Sequence, residues 1–159
     1  MIAIDTSVLL RYLLQNDSTH SPLANKLIDG AQKVLVTDVA LIETIWTLKG
    51  KKYQLKKNQL LMVLDQLFKE PNIEFENGQA VWRALNDFRY TESVKVGSKK
   101  KDVDFVDALI IQKSTFVCAQ KSSTFDGLYT FDLAARQISG AKKPESFKKT
   151  KQLNVTDND

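Results

Sequence analysis

Apolar residues along this chain fall into short continuous runs that alternate with stretches of helical spacing, the pattern of an α/β fold. Ile2–Ile4 and Val34–Val36 read as buried strands, Ile73–Phe75 as a weaker one, and Leu128–Thr130 as the last. Thr6 or Ser7 can cap a helix over Val8–Leu14, and Ser21-Pro22 supplies the cap and first turn of a second, ending near Gly30. Asp38 is placed to cap a helix from Val39 to about Lys49. Lys56–Lys69 repeats Leu60, Val63, Leu64 and Leu67 at helical spacing before Pro71 stops it. Helices are also expected over Gln79–Tyr90, from about Asp104 to Gln120, and briefly after Asp132. The lysine-rich stretch Lys95–Lys101 reads as a loop. Neither an internal repeat nor a linker interrupts the pattern. A single domain is therefore expected over residues 1–140, followed by a basic, mobile tail over 141–159.

At 159 residues, 43% hydrophobic and 26% charged, the chain can bury a core without disulfides or structural metal. No run approaches the ~18 apolar residues of a membrane span. The N-terminus has no basic segment or cleavage site, so it reads as the first strand and the protein as cytoplasmic. Cys118 and His20 are the sole residues of their kinds, which argues against a disulfide framework, a cysteine zinc site and a Ser-His-Asp triad. Any chemistry falls to carboxylates, hydroxyls and lysines.

The net charge of +4 is unevenly spread. Lys95–Lys101 holds four lysines and no acid, and Lys142–Lys151 five lysines against Glu145 alone. Such patches suit phosphate contacts, although solvated surface with a frayed tail is the better explanation of each taken alone.

The acids sit in more telling places. Asp5 and Asp132 each end a strand, where open α/β sheets bind ligands. Glu43 has Val39 and Trp46 at helical offsets and so borders the buried stripe of its helix, where a charge needs compensation from a lysine or a cation. Asp104 and Asp107, three apart, share one face of a first turn; they can serve the helix dipole, but Asp107 leads directly into Ala108-Leu109-Ile110-Ile111. Together these carboxylates suit a hard cation such as Mg²⁺, which takes oxygen ligands and substrate phosphate.

Four segments in order, Ile4-Asp5-Thr6-Ser7-Val8-Leu9, Ile42-Glu43, Asp104-Phe105-Val106-Asp107-Ala108-Leu109-Ile110 and Thr130-Phe131-Asp132, resemble the PIN-domain ribonucleases, and among them the VapC-type toxins of toxin–antitoxin pairs. The resemblance spans Met1 to Ile138. It implies a single-domain α/β/α sandwich around a central parallel sheet, with Mg²⁺ or Mn²⁺ at an acidic pocket and hydrolysis of single-stranded or structured RNA. By motif, Asp5, Glu43, Asp107 and Asp132 would bind the metal and Asp104 is the extra acid before the third. Thr6 and Thr130 would orient ligands or a water. The stretch from Asp107 to Asp132 is longer than usual, with Gln120–Thr124 as an enlarged loop. Asp126 therefore competes for the fourth position; the Thr-Phe-Asp context favours Asp132, and Asp126 can cap the turn at Gly127.

The resemblance further implies a homodimer and a cognate antitoxin covering the pocket. Val8–Leu14 and Leu60–Leu67 could offer surfaces for these, although apolar helical stripes are more often core. Trp46, Trp82 and Tyr90 could stack on bases, with core packing the better expectation for the tryptophans. Two other readings remain open: an RNA-binding module of the same fold without catalysis, and a metal-dependent hydrolase of small phosphoesters.

Overall fold

The computed structural model describes residues 1–147. Strands β1 (Ile2–Ala3), β2 (Val34–Val36) and β3 (Ile73–Phe75) form a parallel sheet in that order, with Val34 opposite both Ile2 and Ile73. Val34 and Val36 are completely buried, as a parallel strand covered on both faces requires. Helices α1 (Thr6–Leu14), α2 (His20–Ile28), α3 (Asp38–Lys49), α4 (Lys57–Lys69), α5 (Gly78–Tyr90) and α6 (Phe105–Gln120) complete the single α/β domain expected from the pattern. Their apolar stripes meet in one core around Leu41, Ile45, Leu64, Leu85 and Leu109. Helices α5 and α6 are locked by Phe88 against Phe105, edge to face at 6.0 Å, and by Gln112 donating to Asp87 Oδ2 at 2.6 Å.

Three helix starts differ from expectation by one or two residues. Asp5 itself caps α1, its Oδ1 accepting from the Val8 amide at 3.0 Å and the Ser7 hydroxyl at 2.7 Å. Thr19 precedes α2, and Ser21 is buried, with its hydroxyl donating to Arg11 O. Thr37 caps α3 by accepting from the Ala40 amide, which leaves Asp38 inside the helix and buried. At α1 and α3 the cap is the residue that leaves the strand; at α2 Thr19 makes no side-chain cap and Asp17 Oδ1 accepts from the His20 amide at 2.7 Å instead.

The lysine-rich segment is a hairpin rather than a loop: β4 (Val94–Val96) pairs antiparallel with β5 (Lys99–Lys101). Its two-residue turn places Gly97 at φ +61°, a conformation that glycine adopts without steric cost. Strand β6 (Leu128–Tyr129) lies outside the three-stranded sheet and pairs in parallel with β7 (Ala141–Lys142). A 3₁₀ turn over Pro144–Ser146 follows, and Phe147 meets Tyr129 edge to face at 5.6 Å. The part of the basic tail from residue 148 onward lies outside the described residues.

Trp46 and Trp82 are not core residues: they are 58% and 47% exposed. Trp82 meets Phe68 edge to face, ring centroids 5.3 Å apart. The stripe Leu60, Leu64 and Leu67 is buried within the domain. No helix among the described residues is long and apolar enough to cross a membrane.

Candidate active site

The fold divides the motif acids between two cavities. One, of about 430 Å³, opens where β1 and β2 end and is lined by Asp5, Thr6, Thr37, Val39 and Glu43. Thr6 ties the two elements together, its Oγ1 donating to Glu43 Oε2 at 2.6 Å. Glu43 does not border the buried stripe: Val39 and Trp46, its helical neighbours, are exposed with it, and Ala40, Leu41, Thr44 and Ile45 face the core. Its placement beside Thr6, rather than burial, is what marks it. The Val8 amide and the Ser7 hydroxyl hold the Asp5 carboxyl below the usual carboxylate range. No cation pairs with Asp5 or Glu43 among the described residues.

The second cavity, of about 330 Å³, gathers Asp104, Asp107, Asp132, Lys49 and Lys101. Asp104 caps α6 by accepting from the Val106 amide at 3.0 Å, and Asp107 lies in the first turn, so the expected shared face is real. Asp132 accepts from the Ala134 and Ala135 amides at 2.8 and 3.0 Å, and its own amide donates to Thr130 Oγ1 at 3.0 Å. Thr130 therefore orients the Asp132 turn and does not itself line the cavity.

Two lysines complete this group. Lys49, from the end of α3, pairs with Asp104, and Lys101, from β5, pairs with Asp132. Burial, followed by the charges of Asp104 and Asp132, raises the Asp107 carboxyl; Lys101 and Lys49 offset only part of this. Burial pushes Asp132 upward too, but the Lys101 ammonium and the Ala135 and Ala134 amides outweigh it and hold that carboxyl low. Lys101 is raised in return, chiefly by its bond to Asp132.

Asp126 is in neither cavity. It is exposed, accepting from the Tyr129 hydroxyl at 2.9 Å and lying 3.2 Å from Lys142 Nζ. Of the two candidates for the fourth acid, Asp132 is the one beside Asp104 and Asp107.

The oxygen-only donor set has the chemistry of a hard-cation site. As placed, it does not fit one. Among the described residues no three acids stand close enough together to hold an ion, and two of the carboxylates are engaged by lysines. A third ionic group went unseen in the sequence. Lys113 of α6 lies 2.5 Å from Asp38 Oδ2 and 2.9 Å from Glu76 Oε1. The Asp38 amide donates to Glu76 Oε2 at 3.1 Å. Asp38 had the appearance of a cap, and no spacing in the sequence announces a partner 75 residues away.

The family model described as PIN domain matches residues 2–126. No curated protein matches significantly. Among solved structures, the chain is similar to Mycobacterium tuberculosis VapC20, a toxin that cleaves the sarcin–ricin loop. The two are 17% identical over 83% of this chain and 90% of that one, with a TM-score of 0.35. This likeness is too loose to fix residue correspondences.

Proposed function

The chain belongs to the PIN-domain family, whose members are generally nucleases dependent on a divalent metal, and we propose that it is an endoribonuclease that hydrolyses RNA phosphodiester bonds as the toxin of a toxin–antitoxin pair. The observation that carries the proposal is the convergence of Asp104, Asp107 and Asp132 on one cavity, with Asp5 and Glu43 joined through Thr6 beside a second. Hydrolysis requires a base for the attacking water and positive charge beside the phosphate. The raised Asp107 is a stronger base than an ordinary aspartate, and Lys49 and Lys101 bring cationic charge into the same cavity. Thr6 and Thr130 act by orientation, the first on Glu43 and the second on the Asp132 turn.

Dependence on Mg²⁺ or Mn²⁺ rests on family membership and on the donor chemistry; the placement of the side chains does not supply it. The homodimer, the antitoxin and the cytoplasmic setting belong to the same proposal and rest on the family resemblance. The division of the acids favours one rival, an RNA-binding module of this fold without catalysis.

Total RNA incubated with purified protein and Mg²⁺ or Mn²⁺, beside EDTA and Asp5→Asn controls, separates the two. Discrete fragments absent from both controls are expected. Folded, partner-free protein that binds RNA but leaves it whole would establish the rival.

A further inference from the structure

A third cavity, of about 450 Å³, lies on the other side of the lysine hairpin. It is lined by Lys95 of β4, Leu133, Arg136 and Gln137 around the 3₁₀ turn Ala135–Gln137, and Lys143 just after β7. No carboxylate lines it. The contrast with the other basic side chains nearby is informative. Lys49, Lys101 and Lys142 are each paired with an aspartate, whereas Lys95 and Lys143 have no ion pair among the described residues. Arg136 is held from behind, Nε donating to Thr130 O at 3.0 Å and Nη2 to Phe131 O at 3.4 Å, which leaves its remaining N–H groups for the cleft. Three cations converging without a counter-charge form a site for an anion.

The cleft also adjoins the acids. Asp132 lines the acidic cavity and the next residue, Leu133, lines the basic one. The hairpin is a shared wall: Lys101 reaches into the acidic cavity, while Lys95, paired with Lys100 one position away, lines the basic cleft. A strand whose phosphate lay at the acids would meet the cleft with a neighbouring phosphate. We propose that this cleft is a phosphate subsite that grips RNA flanking the acidic site; the identity of the polymer rests on the nuclease reading. Phosphate contacts of this kind position a strand and do not read its bases.

The test is binding of a fluorescein-labelled 12-nucleotide oligouridylate to the full chain in EDTA, followed by anisotropy across a salt series. For single strands the slope of log affinity against log salt is about −0.7 per neutralised phosphate. Lys95→Ala with Lys143→Ala is expected to flatten it by about 1.4, and the double arginine variant at those positions to restore it. Lys26→Ala with Lys69→Ala makes the same change of net charge away from the cleft and should leave the slope alone. An unchanged slope in the first variant, or an equal flattening in the second, would overturn the proposal. So would a polyglutamate peptide held through Lys95 and Lys143 by a protein indifferent to RNA, since the cleft would then be a protein-docking surface. A chain that holds RNA in this way but never cuts it keeps the cleft and loses the nuclease. One that cuts RNA with a slope insensitive to both lysines keeps the nuclease and loses the cleft.

Discussion

The two groups of acids are built on opposite principles. Asp5 and Glu43 stand at the open end of the parallel sheet, stabilised by an amide and hydroxyls, with no cation paired to either among the described residues. Asp104, Asp107 and Asp132 crowd into a partly buried pocket, and two lysines moderate their repulsion. In the first group the neutral dipoles that hold Asp5 also cap a helix, so the carboxylate serves fold and site together. In the second, burial and the carboxylates of Asp104 and Asp132 oppose a charge on Asp107 and raise its carboxyl. Groups whose surroundings push their protonation apart are where acid–base work concentrates, and that contrast is more telling than the number of acids.

The largest effect to be expected comes from testing whether the two groups act as one. Asp5→Asn and Asp107→Asn should each lower RNA cleavage by ~10²-fold or more, the order seen when a group acting in the transition state is lost. Asparagine is as good an N-cap as aspartate, so the first change leaves α1 in place. If the groups form one site, the double variant should be no slower than the worse single one, because residues that act as a unit are not additive. Losses that multiply would mean two independent sites, and the reading of one divided active site would fail.

A smaller effect would show what the lysines do. Lys49 and Lys101 occupy positions on Asp104 and Asp132 that an added cation would contest. A partly exposed ion pair contributes about 0.2–1 kcal/mol. Replacing both lysines by methionine should therefore tighten Mn²⁺ binding, measured by calorimetry, by roughly fivefold. Replacing Lys26 and Lys69 in the same way should not. Unchanged affinity in the first variant would make the second group an ionic brace and leave Asp5 and Glu43 as the metal-facing half.

How far the sequence anticipates this arrangement depends on the kind of signal. The strands Val34–Val36 and Ile73–Phe75 and the helix over Lys57–Lys69 follow from apolar periodicity, because burial imposes it directly. The pairing of Asp104 with Asp107 follows from helical offset, which is equally local. The hairpin was hidden because three consecutive lysines on β5 have little strand preference, and the Gly97 turn with its cross-strand pairing supplies what they lack. Helical offset puts Glu43 on α3 but misjudges its face, since α3 presents Val39 and Trp46 to solvent. Lys49, Lys101 and Lys113 were invisible as partners. Each meets its acid across a long loop of chain, and a lone lysine carries no periodic mark.

The smallest effect concerns the ionic group that bridges the two halves. Lys113 belongs to α6, the helix of Asp107, and Asp38 opens α3, the helix of Glu43; Glu76 at the end of β3 binds both, through the Lys113 ammonium and the Asp38 amide. These two donors, the ammonium first, hold the Glu76 carboxyl below its ordinary 4.5. The sign follows from linkage: the folded state binds this proton more weakly than the unfolded chain does. The ionised glutamate thus adds stability above about pH 4.5, and the gain is lost as pH falls through its lower folded value. Glu76→Gln keeps an acceptor for the Asp38 amide but removes the charge. Wild type should therefore melt above the variant at pH 7, by less than the ~1 kcal/mol typical of exposed pairs, and the two should converge toward pH 3. A gap that persists undiminished at pH 3 would mean that shape, not charge, joins α3 to α6. The two groups of acids would then be held together by packing alone.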